Sequence, residues 1–320
     1  MKASFIPIFF TVDKNYAPWL DCAVRSLTQN ASKDYRYHIH VLHQDLTEQD
    51  IERIRSAVRP PFDISFTHME ESYAGLTDRK ENRLRCDYFT MTIFFRIFIA
   101  DMFPEYDKGI YLDSDVVVPG DISEMFQLNL GENIIGACPD YSIMGIPELV
   151  RYTEQAVGVK SCAEYINSGV LLMNLKKMRE VDFSGHFLRL LNKYHFDCIA
   201  PDQDYFNAMC RGKILFLDER WDTMPPEAGE RGRVGSPGLI HYNLFQKPWC
   251  YDSIPYEEYF WKYASVSPYY EDILTFKKNY SEEQKASDRE CLHTLVEKGG
   301  ALDRQDVTFR KVRERGESFL

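Results

Sequence analysis

Strand-length apolar runs alternate with helix-period segments as far as Leu112, and this alternation restricts the fold more than any other feature of the chain. Ile6-Pro7-Ile8-Phe9-Phe10-Thr11-Val12 is a continuous apolar run that stops at Asp13. Leu20, Ala23, Val24 and Leu27 then recur at i, i+3, i+4 and i+7, one face of a helix. Tyr37 to Leu42 reads as a strand, and Thr47 with Asp50 is a capping pattern opening a helix whose inner face is Ile51, Ile54 and Val58. Phe62 to Thr67 alternates as a third strand, and Thr90 to Phe103 is a strongly apolar helix. Gly109-Ile110-Tyr111-Leu112 follows as a buried strand that runs directly into Asp113-Ser114-Asp115. A β-α-β-α-β-α-β order implies an α/β fold, a largely parallel sheet with helices on both faces. Ligands of such sheets sit beyond the carboxyl ends of the strands, where Asp13 and Asp113 stand.

Further strands are expected at 134–138, 169–174, 213–217 and 239–241, with helices at 175–194 and 202–211 and a Gly- and Pro-rich loop over 220–237. Past about residue 255 the pattern turns aromatic and then charged helical. The expected organisation is a domain over 1–265 and a helical, charged, partly mobile extension over 266–320. Forty-nine acidic against 38 basic side chains give a formal charge of −11, which argues against a nucleic-acid partner. It leaves an anionic small molecule open, because a few local cations override a global charge. Eight scattered cysteines without a C-x-x-C pair read as reduced thiols of a cytosolic protein. No secretory leader is expected, and the run from Met91 to Phe103, interrupted by Arg96 and Asp101, is too short to span a bilayer.

Asp113 and Asp115, one residue apart at the tip of a buried strand, can both approach a single hard divalent cation, of the kind often shared with substrate phosphates. Without a cation such a cluster is costly. His241 ends another short apolar strand, and either a structural role or a third metal ligand suits it; Lys247, before Pro248-Trp249, suits a turn or a point charge on phosphate. Asn167-Ser168-Gly169 makes a small polar corner before a strand, where Gly169 permits close backbone approach. Asp202-Gln203-Asp204 follows Pro201 at a helix start, and three polar groups exceed what a cap needs. Arg96, in a row of core positions, either snorkels to the surface or points at an anion near the strand tips.

Taken in order, these stretches resemble glycosyltransferase family 8, the retaining GT-A enzymes that include lipopolysaccharide galactosyl- and glucosyltransferases. The resemblance rests on Phe10-Thr11-Val12-Asp13-Lys14-Asn15-Tyr16-Ala17, Arg96, Tyr111 to Asp115, Tyr165 to Leu175, Asp202-Gln203-Asp204, and His241 with Lys247-Pro248-Trp249. It implies a GT-A, Rossmann-like, mixed but mostly parallel sheet. It also implies Thr11 and Asp13 at a uridine, Asn15 by the ribose and diphosphate, Arg96 at the diphosphate or the donor sugar, and Lys247 at the diphosphate. Asp113, Asp115 and His241 would hold Mn²⁺ or Mg²⁺, with Ser114 beside them. Asn167, Gly169, Asp202 and Gln203 would surround the transferred hexose, with Ser168 among the donor-binding residues and Asp140 near sugar and acceptor. Gln203, Asp202 and Asp140 are thereby the implied catalytic residues. One position departs from the family, which commonly has Gly three residues after the metal His, where this chain has Leu244.

The activity implied is metal-dependent, retaining transfer of glucose or galactose from a UDP-sugar to a glycan, glycolipid or protein acceptor. The alternative is a catalytically silent UDP-sugar-binding or scaffold protein that keeps the fold. No G-x-x-x-x-G-K-[ST] or G-x-G-x-x-G supports another nucleotide-binding class. Expected partners are a UDP-hexose and an acceptor, with no nucleic acid. The expected location is cytoplasmic, with at most a weak peripheral contact at the inner membrane face through cations of the tail.

Overall fold

The computed structural model describes residues 5–69, 92–225 and 233–320. In the N-terminal half, β1 (Phe5–Val12) leads into α1 (Ala17–Asn30), followed by β2 (Arg36–His43), α2 (Glu48–Arg55), β3 (Phe62–His68), α3 (Thr92–Met102) and β4 (Gly109–Leu112). Next come β5 (Val116–Val117), α4 (Ile122–Gln127), β6 (Ile135–Ala137), α5 (Pro147–Tyr152) and β7 (Val170–Met173). The chain continues through α6 (Leu175–Glu180), α7 (Phe183–Tyr194), α8 (Pro201–Met209), β8 (Ile214–Phe216) and β9 (Ile240–His241). It ends with α9 (Glu257–Ala264), α10 (Tyr270–Asn279), α11 (Glu282–Leu302) and α12 (Phe309–Glu314). Thr90 and Met91, expected in the helix that the structure begins at Thr92, and Cys86 lie outside the described residues, as do 226–232 of the expected loop.

Seven strands form one sheet in the order β3-β2-β1-β4-β7-β6-β8. Parallel pairing joins β1 to β2 and β4, β2 to β3, and β6 to β8. β7 runs antiparallel to both of its neighbours, so the sheet is mixed and mostly parallel, as expected. Both faces of β1 are covered, which accounts for its unbroken apolar run. Ile6, Ile8, Phe10 and Val12 join a core with residues of α1, α9 and α10, whereas Phe9 joins a core with residues of α3, α6, α7 and α8. Each such buried side chain contributes roughly 1.5–3 kcal/mol relative to exposure. The Thr47–Asp50 pattern forms a reciprocal capping box at the start of α2.

Two expectations are corrected. The single helix expected over 175–194 is two, α6 and α7, parted at Val181 and Asp182, where Asp182 takes a left-handed backbone at φ 49°. Leu175 and Met178 of the first half and Phe183, Phe187, Leu190 and Leu191 of the second are buried. At about 100° per residue these two groups fall on different faces of one continuous helix, so the chain must break to bury both. The eight cysteines are not all thiols: Cys22, Cys138, Cys162, Cys198, Cys210 and Cys250 are free and buried, but Cys291 is disulfide-bonded. No helix among the described residues is long and apolar enough to cross a membrane.

A second, two-stranded sheet pairs β5 with β9 antiparallel, Val116 opposite His241. This short ribbon brings residue 241 back to the tip of β4.

Candidate active site

The β1–β4 register sets Phe10 against Leu112, so the last residues of β1, Thr11 and Val12, with Asp13 just beyond them, stand beside Asp113 to Asp115 as these leave the sheet. Past β4 the Asp113 N–H donates to Gly169 O at 2.7 Å, and the Tyr242 N–H donates to Asp115 O at 3.0 Å. These backbone bonds bring Asp113, Asp115 and His241 together from the end of β4 and the β5–β9 ribbon. One ligand atom from each of the three lies within 4.8 Å of the others. His241 Nε2 is 3.3 Å from Asp115 Oδ1 and 3.9 Å from Asp113 Oδ2. Its other ring nitrogen, Nδ1, is 3.1 Å from Asp222 Oδ1. Gly169 closes the cluster: a Cβ there would fall 2.4 Å from His241 Cε1 and 2.6 Å from Asp113 Oδ2. A glycine is therefore required for contact with this group, independent of any backbone angle.

The cluster opens into a cavity of about 440 Å³ at the carboxyl ends of the strands. Thr11, Asp13, Arg96, Asp113, Ser114, Asp115, Asn167, Ser168, Gly169, Asp202, Gln203, His241 and Lys247 line it, so most of the residues singled out in the sequence converge there. Two do not. Asn15 is exposed beyond the rim, its N–H donating to Asp13 Oδ1 at 2.9 Å. Asp140 is fully buried behind Gln203, whose Nε2 donates to Asp140 Oδ2 at 2.8 Å. Asn167 Nδ2 lies 3.5 Å from the same oxygen, and Ser142 donates to Asp140 Oδ1 through N and Oγ.

The cations in the site are held by carboxylates. Arg96 reaches in from α3 and does not snorkel: it is 5% exposed and spans Asp113 Oδ1 at 2.9 Å and Asp202 Oδ2 at 3.2 Å. Its Nη1 also donates to Ser168 O at 2.8 Å. Ser168 in turn donates from Oγ to Asp202 Oδ2 at 2.9 Å and from N to Gln203 Oε1 at 3.1 Å. Lys247 Nζ donates to Asp115 Oδ2 at 2.5 Å and to Tyr242 O at 2.6 Å. Burial raises the Asp115 carboxyl, but Lys247 and then His241 outweigh it and hold it well below the usual carboxylate range. Burial lowers the His241 imidazole, but Asp222 and Asp115 outweigh it and push its pKa up to about 10. Burial pushes the Asp222 carboxyl up to about 6, His241 opposing the rise. Asp202 is likewise raised by burial, against the pull of Arg96.

Several members of the site were given no role from the sequence, although Tyr111 and Tyr16 fall within the stretches that carry the resemblance. Tyr111 lies inside a strand that is apolar on either side of it, yet its hydroxyl donates to Asp113 Oδ1 at 2.7 Å and is 2.8 Å from Thr11 Oγ1. Its ring lies under Arg96, 4.4 Å from the guanidinium carbon. Tyr16, Asn243, Phe245 and, from α11, Asp288 and Cys291 also line the cavity. Asp222 falls in the loop-like stretch, 19 residues from the histidine that it meets. Leu244, which also lines the cavity, has φ 54°, the left-handed region that favours glycine. That backbone gives a physical reason for a glycine at this position in the family that the chain resembles.

Comparison with known proteins places this arrangement. A lipopolysaccharide 1,2-glucosyltransferase of Escherichia coli K12 is 28% identical over 62% of this chain and 64% of its own length. A putative glycosyltransferase of Haemophilus influenzae is 26% identical over 69% of this chain and 64% of its own. The chain thus spans somewhat less than two thirds of each. The solved galactosyltransferase LgtC, in complex with donor and acceptor sugar analogues, superposes with a TM-score of 0.68 at 25% identity, covering 82% of this chain and 96% of that one. The bifunctional glycosyltransferase WbbM superposes at 0.72 with 19% identity over 86% of this chain, a likeness of fold. The architecture is the GT-A fold of these glycosyltransferases. The family description "Glycosyl transferase family 8" matches residues 7–253, from the first strand to just past Lys247 and so through nearly every element that builds the cavity; the chain belongs to that family.

Proposed function

We propose that the chain transfers a hexose, glucose or galactose, from a UDP-sugar to a glycan, lipid-linked or protein acceptor, with retention of configuration and in a Mn²⁺- or Mg²⁺-dependent reaction. The observation that carries this reading is the convergence of Asp113, Asp115 and His241 within 4.8 Å, beside Lys247 and Arg96. Two carboxylates and an imidazole suit a divalent cation, and the missing side chain at Gly169 leaves their approach unobstructed. When bound, the cation supplies Lewis-acid stabilisation of the departing diphosphate. Lys247 adds a fixed point charge on the same side, and the Arg96 guanidinium holds Asp113 and Asp202 in place while facing the cavity. Thr11 and Asp13, at the end of β1, are assigned to the nucleoside. Asn167, Ser168, Gly169 and Gln203 are assigned to the sugar, with Asp140 holding the Gln203 amide from behind.

Retention follows either from a covalent adduct or from attack on the face that UDP leaves. The Asp202 carboxylate is engaged by Arg96 and Ser168, and Gln203 is a neutral amide bonded at both ends. Both features favour same-face attack: the acceptor oxygen bonds to C1, the C1–O bond to UDP breaks, and the acceptor proton passes to a β-phosphate oxygen. Capture of a glycosyl adduct on Asp202 or Gln203 would overturn that step. The full assignment is tested by titrating UDP-glucose, UDP-galactose and UDP-N-acetylglucosamine with and without Mn²⁺ while following UDP release. Metal-dependent binding of one donor with slow release is expected, and Asp113→Asn should abolish it. Tight binding without release under any acceptor tried favours the silent sugar-nucleotide-binding reading, and no binding removes the donor assignment. Peripheral membrane contact is a separate expectation, ended by a failure to sediment with anionic vesicles at low salt.

A further inference from the structure

We propose that Asp222 is a positioning residue for the cation site, holding the His241 ring by Nδ1 so that Nε2 faces Asp113 and Asp115 and is the nitrogen that a cation would meet. The proposal rests on the reading of those three residues as a cation site. An imidazole can present either nitrogen to a ligand, and the hydrogen bond made by one nitrogen decides which is left bare. Here the two nitrogens have different surroundings. Nδ1 meets Asp222 Oδ1 at 3.1 Å, and Nε2 meets Asp115 Oδ1 at 3.3 Å. Asp222 is fully buried and His241 is 2% exposed, so water does not compete for the contact.

The backbone makes this contact rigid. Thr223, next to Asp222, bridges to Ile240, next to His241. The Thr223 N–H donates to Leu239 O and the His241 N–H to Thr223 O, each at 2.9 Å. The carboxylate and the ring therefore share a short parallel bridge, and neither can slide past the other without breaking both bonds. The second carboxylate oxygen, Asp222 Oδ2, is buried without a hydrogen-bond partner among the described residues. A carboxylate buried with half its acceptors unmet is costly, and such an arrangement persists where a cation or a ring directed at one balances it. Asp222 lies on the far side of the ring from the ligand atoms, so it acts through His241 and does not join the cluster.

The test is Mn²⁺ affinity of the full chain in the presence of UDP, by calorimetry or electron paramagnetic resonance, for the wild type, Asp222→Ala and Asp222→Asn. Asp222→Ala should weaken Mn²⁺ binding by roughly 10- to 100-fold. Asp222→Asn keeps an acceptor oxygen for Nδ1–H and should stay within about fivefold of the wild type on the same reasoning. Unchanged affinity in Asp222→Ala overturns the proposal, as does an Asp222→Asn variant as impaired as the alanine, which would assign the effect to charge. Lack of Mn²⁺ binding by the wild type overturns the underlying cation-site reading, and the proposal with it. A second measurement needs no Asp222→Ala protein, should that variant fold poorly. Long-range ¹H–¹⁵N NMR of His241 in the wild type with Mg²⁺ and UDP should show the proton on Nδ1, and a proton on Nε2 overturns the assignment.

Discussion

Gly169 owes its identity to the two side chains that close over it, His241 Cε1 and Asp113 Oδ2, both within 2.6 Å of where a Cβ would stand. Gly169→Ala must displace a member of the cluster. It should lower Mn²⁺ affinity at least tenfold by calorimetry, while the overpacking costs about 1–3 kcal/mol in urea unfolding. Leu244 is the converse case, a branched residue at φ 54° where a left-handed backbone costs L-residues roughly 1–2 kcal/mol. Leu244→Gly should unfold within about 0.5 kcal/mol of the wild type, relief of strain offsetting lost apolar contact and added chain freedom. Leu244→Val, β-branched, should lose about 1 kcal/mol or more. His241 links the site to pH. Its raised pKa means that its stabilising contribution is fully present below its ordinary value of 6.5 and is lost as pH rises through about 10. Without metal, the urea-midpoint gap between the wild type and His241→Gln should narrow across that window. Because a cation competes with the same proton, Mn²⁺ affinity should rise with pH there, by up to about tenfold per unit.

Among the elements, α3 matters through one residue. Its apolar positions bury the helix against β1, β2 and the helices α6, α7 and α8, and the single cation in that row is delivered to Asp113 and Asp202. Arg96→Met fits the apolar helix but leaves two carboxylates facing each other without their shared partner. It should destabilise the metal-free chain by about 3–5 kcal/mol in chemical denaturation. Arg96→Lys retains charge but cannot span both carboxylates with a planar fork, and an intermediate loss is expected. The β5–β9 ribbon works by register: two residue pairs are enough to set Asp115 beside His241, across a sequence separation that no local pattern bridges.

For the whole molecule, the last helices belong to the core as much as the first. Leu295, Leu302, Phe309, Val312 and Phe319 are buried in the layer that contains α3, and Phe309 stacks on Phe196 at 3.9 Å between centroids. α11 also packs along α5 and sends Asp288 to the cavity wall. A chain ending at residue 265 should therefore melt far below the 320-residue chain or aggregate, as read by thermal unfolding. If Mn²⁺ and the correct UDP-sugar bind the folded state alone, a hundredfold excess over Kd should add about 2.7 kcal/mol of stability, and that thermal shift should vanish in Asp113→Asn.

Period and spacing within short windows were legible from the amino acids alone. The buried strands, the Thr47–Asp50 cap, the largely parallel character of the sheet, and the delivery of Asp113 and Asp115 to a strand tip follow from local alternation and from the rule that such sheets bind ligands at their carboxyl ends, whereas the antiparallel β7 that makes the sheet mixed was implied by the family resemblance alone. The break at Asp182 was hidden because a change of buried face is visible only once the packing partners are known. What tertiary structure alone decided is the set of long-range meetings. Asp222 found the back of His241, Tyr111 turned its hydroxyl to Asp113, Arg96 resolved toward the carboxylates, and α11 became a wall of the cavity. A side chain's neighbours along the chain dictate its backbone and its face, but its charge is matched by whatever the fold brings within about 4 Å, and that is a property of register and packing.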